Sequence, residues 1–119
     1  MKIRTNQCEA CPWKKSTQPH RDIPDGYRED KHRDLIETIA EPGSLATITA
    51  PVPMMACHES RPGDEQPCVG WVLNQLGPGN NIGLRLLAMD GRFKGLKADG
   101  PQHQRFEDTL PRRRRSRDR

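Results

Sequence analysis

The sequence is short of the side chains from which a core is built. Hydrophobic residues fill 32% of its 119 positions, against roughly 45–50% on a similar count in ordinary globular domains. The only aromatics are Trp13, Trp71, Tyr27, Phe93 and Phe106. No run approaches the ~20 apolar residues of a membrane span. The longest helix-like apolar stretch, Ile82 to Met89, is interrupted by Gly83 and Arg85. Residues Met1 to Gln7 hold no apolar leader segment, so the expectation is a cytoplasmic protein in a reducing compartment. Cysteines there are thiols or metal ligands, not structural disulfides. The order Ser/His/Asp, a phosphate-cradling glycine loop and an HExxH helix are all missing, which leans away from an enzyme. Eleven prolines and ten glycines also disfavour long regular elements.

A small domain with so thin a core needs a staple, and four cysteines supply one. Cys8 and Cys11 form a C-x2-C pair, the tight bite that presents two sulfurs from one turn. Cys57 and Cys68 add two more across an intervening loop. Four thiolates complete a tetrahedral Zn²⁺ site or ligate a [4Fe–4S] cluster, and zinc is the leading expectation. Cys68 begins a helical pattern, where unpaired N–H groups and the helix dipole favour a thiolate. Lys14 and Lys15 are placed to offset the charge of such a site. His58 follows Cys57 directly; on a strand the two point to opposite faces, so His58 is expected beside the site rather than on the ion. Trp13 and Trp71 flank cysteines and either shield the site or simply pack in the core. Other uses of these cysteines are a redox C-x-x-C dithiol and small buried apolar residues.

The chain is expected to be α+β, with about three helices and a short β-hairpin. One helix runs from about Arg28 to Ala40, its buried stripe Leu35, Ile36, Ile39 and Ala40, with an outward Arg33–Glu37 pair. Leu45–Ala50 and Met54–Cys57 read as short strands bounded by Pro51 and Pro53. Val69, Val72, Leu73 and Leu76 repeat at helical spacing until Gly77 stops them. A further helix starts at Asn80 or Asn81 and ends near Asp90, before Gly91. Beyond Lys97 no stable element is expected. The organisation is thus a metal-binding domain over residues 1–97 and a flexible arginine-rich tail over residues 98–119.

The net charge of +4 is unevenly placed. Residues 111–119 hold six arginines and one aspartate, net +5, and the other 110 residues net −1. Arg112, Arg113, Arg114, Arg115, Arg117 and Arg119 are candidates for contacting DNA or RNA phosphates without reading sequence. A solvated terminus with no specific partner is the plainer alternative.

The segments Cys11-Pro12-Trp13-Lys14-Lys15, Ala56-Cys57-His58 and Pro67-Cys68-Val69-Gly70-Trp71 together resemble a small uncharacterised family from bacteriophages and actinobacteria. The resemblance covers roughly residues 8–76 and implies a metal-binding domain. A fainter one is to the WhiB-type iron–sulfur regulators, although cysteine spacing differs and the full Gly-Trp-Gly-Gly turn is missing. The functional expectation is a non-enzymatic, metal-stabilised binding module, a phage or bacterial accessory protein contacting nucleic acid or a nucleic-acid enzyme. The alternative is an iron–sulfur or dithiol redox protein or sensor.

Overall fold

The computed structural model describes residues 5–23, 27–50, 53–57, 63 and 66–111. Among these the chain forms five short helices: α1 (Pro19–Asp22), α2 (Glu29–Asp34), α3 (Ala46–Thr49), α4 (Val69–Leu76) and α5 (Ile82–Leu87). Turns of 3₁₀ helix extend α2 over Leu35–Thr38 and α5 over Ala88–Asp90, and a third covers Phe106–Thr109. The expected α+β class with a β-hairpin is overturned. Pairing among the described residues is limited to three isolated bridges, Asn6 with Lys97, Lys14 with Gln102 and Ala56 with Pro67. No helix among the described residues is long and apolar enough to cross a membrane.

The two expected strands fail for different reasons. Leu45–Ala50 has β-favouring residues but no strand to pair with among the described residues, and Ser44 offers its backbone a local alternative. The Ser44 hydroxyl accepts from Ala46 N–H (3.2 Å), and the Thr47 hydroxyl donates to Ser44 C=O (3.0 Å), winding the segment into α3. Met54–Cys57 does approach the chain before α4, with Cys57 N–H on Gln66 C=O (2.7 Å) and Cys68 N–H on Met55 C=O (2.8 Å). Two such bonds make a bridge that aligns two cysteines, not a hairpin.

Helix α4 lies at the centre. Trp71 and Gln75 are fully buried, with Val69, Gly70, Val72 and Asn74 close behind. Burial extends beyond the apolar stripe because the polar side chains are tied to every neighbour. Trp71 indole N–H donates to Thr38 C=O (2.8 Å), and Asn74 Nδ2 donates to Gln104 C=O (2.9 Å). Gln75 Oε1 accepts from Ala40 N–H (3.1 Å) and Asn81 Nδ2 (3.2 Å). A buried polar group with its bonds made costs little, and one left bare costs about 1–3 kcal/mol. Asn81 caps α5 by accepting from Leu84 N–H (3.0 Å), and Gly91 takes the left-handed conformation at φ 84°, both as the sequence indicates.

The helix near residues 28–40 is shorter than its pattern. After Asp34 it tightens to 3₁₀, which changes the angle per residue and leaves Ile36 exposed while Leu35 and Ile39 pack on the core. Arg33 pairs backwards with Glu29 (2.7 Å), four residues earlier, in place of Glu37. Packing also continues past Lys97, where no element was expected: Phe106 is 3% and Thr109 2% exposed. Residues 112–119, with all six candidate arginines, lie outside the described residues, as does His58.

Thr109 meets His32 in the interior. The Thr109 hydroxyl donates to Phe106 C=O (2.6 Å), so its oxygen is left to accept from His32 Nε2–H (3.1 Å). His32 Nδ1 then accepts from the Tyr27 hydroxyl (2.7 Å), which assigns a neutral imidazole with both nitrogens satisfied. The ring also meets Phe106 edge-on at 5.8 Å. Burial pushes the His32 pKa down to about 4; nearby Glu29 opposes this and Arg33 assists it. A depressed folded pKa means the unfolded chain binds the extra proton, so this stability is whole above about pH 6.5 and drains as pH falls towards about 4. The loss has an upper bound of about 3 kcal/mol. Urea unfolding of wild type and His32→Gln across this range should show the variant with the shallower pH slope. Equal slopes would mean that His32 is not held neutral.

Candidate metal centre

The C-x2-C turn closes locally: Cys11 N–H donates to Cys8 C=O (3.3 Å) and Lys14 N–H to Cys11 C=O (3.0 Å). This directs both sulfurs inward. The Ala56–Pro67 bridge brings Cys57 and Cys68 alongside each other, and Cys68 is the N-cap of α4. All four are free thiols, 3%, 0%, 5% and 3% exposed for Cys8, Cys11, Cys57 and Cys68. They share one buried cluster with Trp13, Trp71, Val72, Met55, Leu84, Phe93 and Phe106.

The sulfurs touch in succession. Cys8 hydrogen-bonds both Cys57 and Cys11, and Cys11 hydrogen-bonds Cys68 at 3.7 Å between sulfurs. Among the described residues, no group of three or more His, Cys, Asp or Glu is arranged as a ready-made ion site. The two findings agree physically. Thiols donate to one another and close up as a chain; once deprotonated they lose those donors and need a cation among them.

Hydrogen bonding with Cys68 and Cys8 holds the Cys11 pKa well below the usual thiol range, helped by Trp13 N–H and the Gln7 side chain and opposed by burial. Its neighbours are pushed the other way: Cys8 by its bonds to Cys11 and Cys57 and by burial, Cys68 by its bond to Cys11 and by burial. The expectation that the helix start would favour a thiolate at Cys68 is only partly met. Trp71 N–H does stabilise that sulfur, but the bond to Cys11 outweighs it. Lys14 is buried beside the loop, yet its ammonium goes to Asp99 (2.6 Å) and Glu9 C=O (3.0 Å), while Lys15 is exposed.

Both tryptophans line the same interior. Trp13 is 6.3 Å from Phe106 in a tilted pair, and its buried indole N–H has no hydrogen-bond partner among the described residues. Gly70 accounts for the glycine of Pro67-Cys68-Val69-Gly70-Trp71. A Cβ there would lie 2.7 Å from Trp13 Cβ, 2.8 Å from Gln7 Nε2 and 2.9 Å from Cys11 Sγ. The cysteine loop thus sits directly on the first turn of α4. A model of a protein family of unknown function matches residues 3–111.

The chain belongs to the family of unknown function DUF6283.

The DUF6283 match takes in all four cysteines, α4 and the packed segment after Lys97, and stops where the arginine run begins. No curated protein and no solved structure matches the chain. Within this DUF6283 domain, Gln7 is the residue at the sulfurs that sequence reading missed. Its one signal was adjacency to Cys8.

Gly70→Ala tests the contact at α4. Alanine favours a helix interior by about 1 kcal/mol over glycine, but overpacking costs about 1–3 kcal/mol or more. The variant should lose about 1–2 kcal/mol in urea unfolding, because both Trp13 Cβ and the loop backbone resist displacement. A stabilised Gly70→Ala protein would show that the loop stands further from α4.

Proposed function

We propose that this protein is a non-enzymatic binding module whose fold is held by one zinc ion on Cys8, Cys11, Cys57 and Cys68, and whose arginine-rich end contacts nucleic acid. The observation that carries the metal reading is the gathering of four buried sulfurs from three distant parts of the sequence, with Cys11 and Cys68 3.7 Å apart. Sulfurs sharing one tetrahedral ion lie about 3.8 Å apart for a metal–sulfur bond of about 2.3 Å. A [4Fe–4S] cluster is held through four separate irons, which sets its cysteine sulfurs well apart. The spacing therefore favours a single thiophilic ion over the cluster. Burial also weighs against the dithiol alternative, since exchange with a partner needs an exposed attacking sulfur and Cys11 is fully buried. Four thiolates leave no open position for catalysis on the ion.

The nucleic-acid reading rests on charge. Described arginines of the body largely pair with the chain's own carboxylates: Arg21 with Asp22, Arg28 with Asp30, Arg33 with Glu29, Arg92 with Asp90 and Arg105 with Glu107. Uncompensated positive charge falls in residues 111–119, net +5.

Metal analysis of protein purified without oxygen should give about one zinc per chain and no visible colour. A brown, air-sensitive protein would establish the iron–sulfur alternative instead. A structural zinc contributes on the order of 10 kcal/mol to folding, so Cys8→Ser, Cys11→Ser, Cys57→Ser and Cys68→Ser should each lose metal and unfold. Any one of them keeping full zinc and wild-type melting is not a ligand.

Truncation after Pro111 should leave zinc content and melting unchanged while removing most salt-dependent affinity for duplex DNA. On duplex, log affinity falls by about 0.9 per phosphate contact with log salt. Equal affinity in the truncated and full chains would place recognition in the folded body.

A further inference from the structure

Residues 97–111 have little regular structure beyond the 3₁₀ turn Phe106–Thr109, yet their first half is held along the cysteine loop. Lys97 N–H donates to Thr5 C=O (2.8 Å), and Lys97 C=O accepts from Gln7 N–H (3.1 Å). Pro101 C=O accepts from Lys15 N–H (3.0 Å), and His103 N–H donates to Trp13 C=O (2.8 Å). Asp99 takes the buried ammonium of Lys14, and Phe106 meets Trp13 in a tilted ring contact. From Lys97 to His103 the partners therefore lie on residues 5–15, while Gln104 is held by Asn74 and Thr109 by His32.

Gln7 joins this segment to the sulfurs. Its amide pairs reciprocally with that of Gln102, Gln7 Nε2 on Gln102 Oε1 (2.7 Å) and Gln102 Nε2 on Gln7 Oε1 (2.8 Å). Gln7 Oε1 also accepts from Asp99 N–H (2.8 Å), and the Gln7 side chain hydrogen-bonds Cys11. A side-chain amide has two donors and two acceptor positions. All four are engaged, on a residue that is 7% exposed.

We propose that residues 97–111 form a clasp whose closure over the cysteine loop is coupled to ion binding by the four sulfurs, with Gln7 as the positioning residue that joins the two. The proposal rests on the zinc reading above. Ligation fixes the loop from Cys8 to Cys11; a fixed loop presents Gln7, Trp13 and Lys15 in register for the clasp. Linkage requires the reverse as well: a closed clasp raises affinity for the ion by the same factor. The clasp ends at Pro111, immediately before the arginine run, so ion binding orders the chain up to the first residue of that polycation.

The test uses the full chain and the Gln7→Ala variant. Zinc affinity is read by competition with a chelator, backbone hydrogen exchange over residues 97–111 by mass spectrometry, and sulfur ligation by the charge-transfer absorption of the Co²⁺-substituted protein. Gln7→Ala should still bind one zinc, about 10-fold more weakly, with a shifted cobalt spectrum and faster exchange in 97–111 than in α5. Gln7→Ala with unchanged affinity and unchanged exchange overturns the clasp while leaving the zinc reading intact. Weakened affinity with exchange in 97–111 unchanged overturns it too, because the two are then uncoupled. A wild-type chain that binds neither zinc nor cobalt overturns both readings.

Discussion

The contact between the cysteine loop and the first turn of α4, at Gly70, is the constraint on which the rest of the structure depends. It seats Cys11 Sγ and Trp13 against a helix whose N-cap is itself Cys68. One close approach thereby sets the distance between the C-x2-C turn and its distant partner. It is possible only because residue 70 has no Cβ, and because Gln66-Pro67-Cys68 leads into the helix held by Cys57 N–H on Gln66 C=O and by Cys68 N–H on Met55 C=O. Bulk at that position separates the sulfurs and opens the interior together. Sulfur cluster and hydrophobic core are one object here, with cysteines occupying places that leucine or isoleucine would fill in a richer sequence.

The same scarcity explains the polar interior. With few apolar side chains available, α4 is surrounded by neighbours that it holds through Trp71, Asn74 and Gln75, and Gln7 and His32 play the same part at the edges. Each such bond adds only about 0.5–1.5 kcal/mol net, but each is directional. A core tied in this way is specific before it is strong. Bonds of this size fix the arrangement of the core while adding little to its stability.

Legibility in the sequence followed the range of the interaction. The α4 stripe, the Asn81 cap and the left-handed Gly91 are decided within a turn or two of chain, and spacing reveals them. The four cysteines were legible as a set because of residue type and the C-x2-C spacing, although their mutual contacts depend on a bridge between Ala56 and Pro67 that no local pattern announces. Leu45–Ala50 misled because β-branched residues were weighed without asking for a pairing strand, and Ser44 supplied a helical alternative. Residues 98–111 misled for the opposite reason. Their polar, proline-broken composition resembles a solvated tail, but they are held by backbone bonds to residues 5–15 and by Asn74 and His32, which leave no mark on composition. Gln7, Asn74 and Gln75 were invisible for the same reason: a buried amide looks like a surface amide until its partners are placed.

Charge is arranged to match this division of labour. The body is near neutral, and its described ion pairs are mostly between residues close in sequence and exposed, worth little each. They remove free positive charge from the folded surface more than they add stability. Lys14 is the exception, buried and joined across the fold to Asp99, so its charge is spent on closing the C-terminal segment over the cysteine loop. The net positive charge follows Leu110 in sequence. Because the body's own net charge is close to zero, the bonds that fold it do not have to oppose electrostatic self-repulsion.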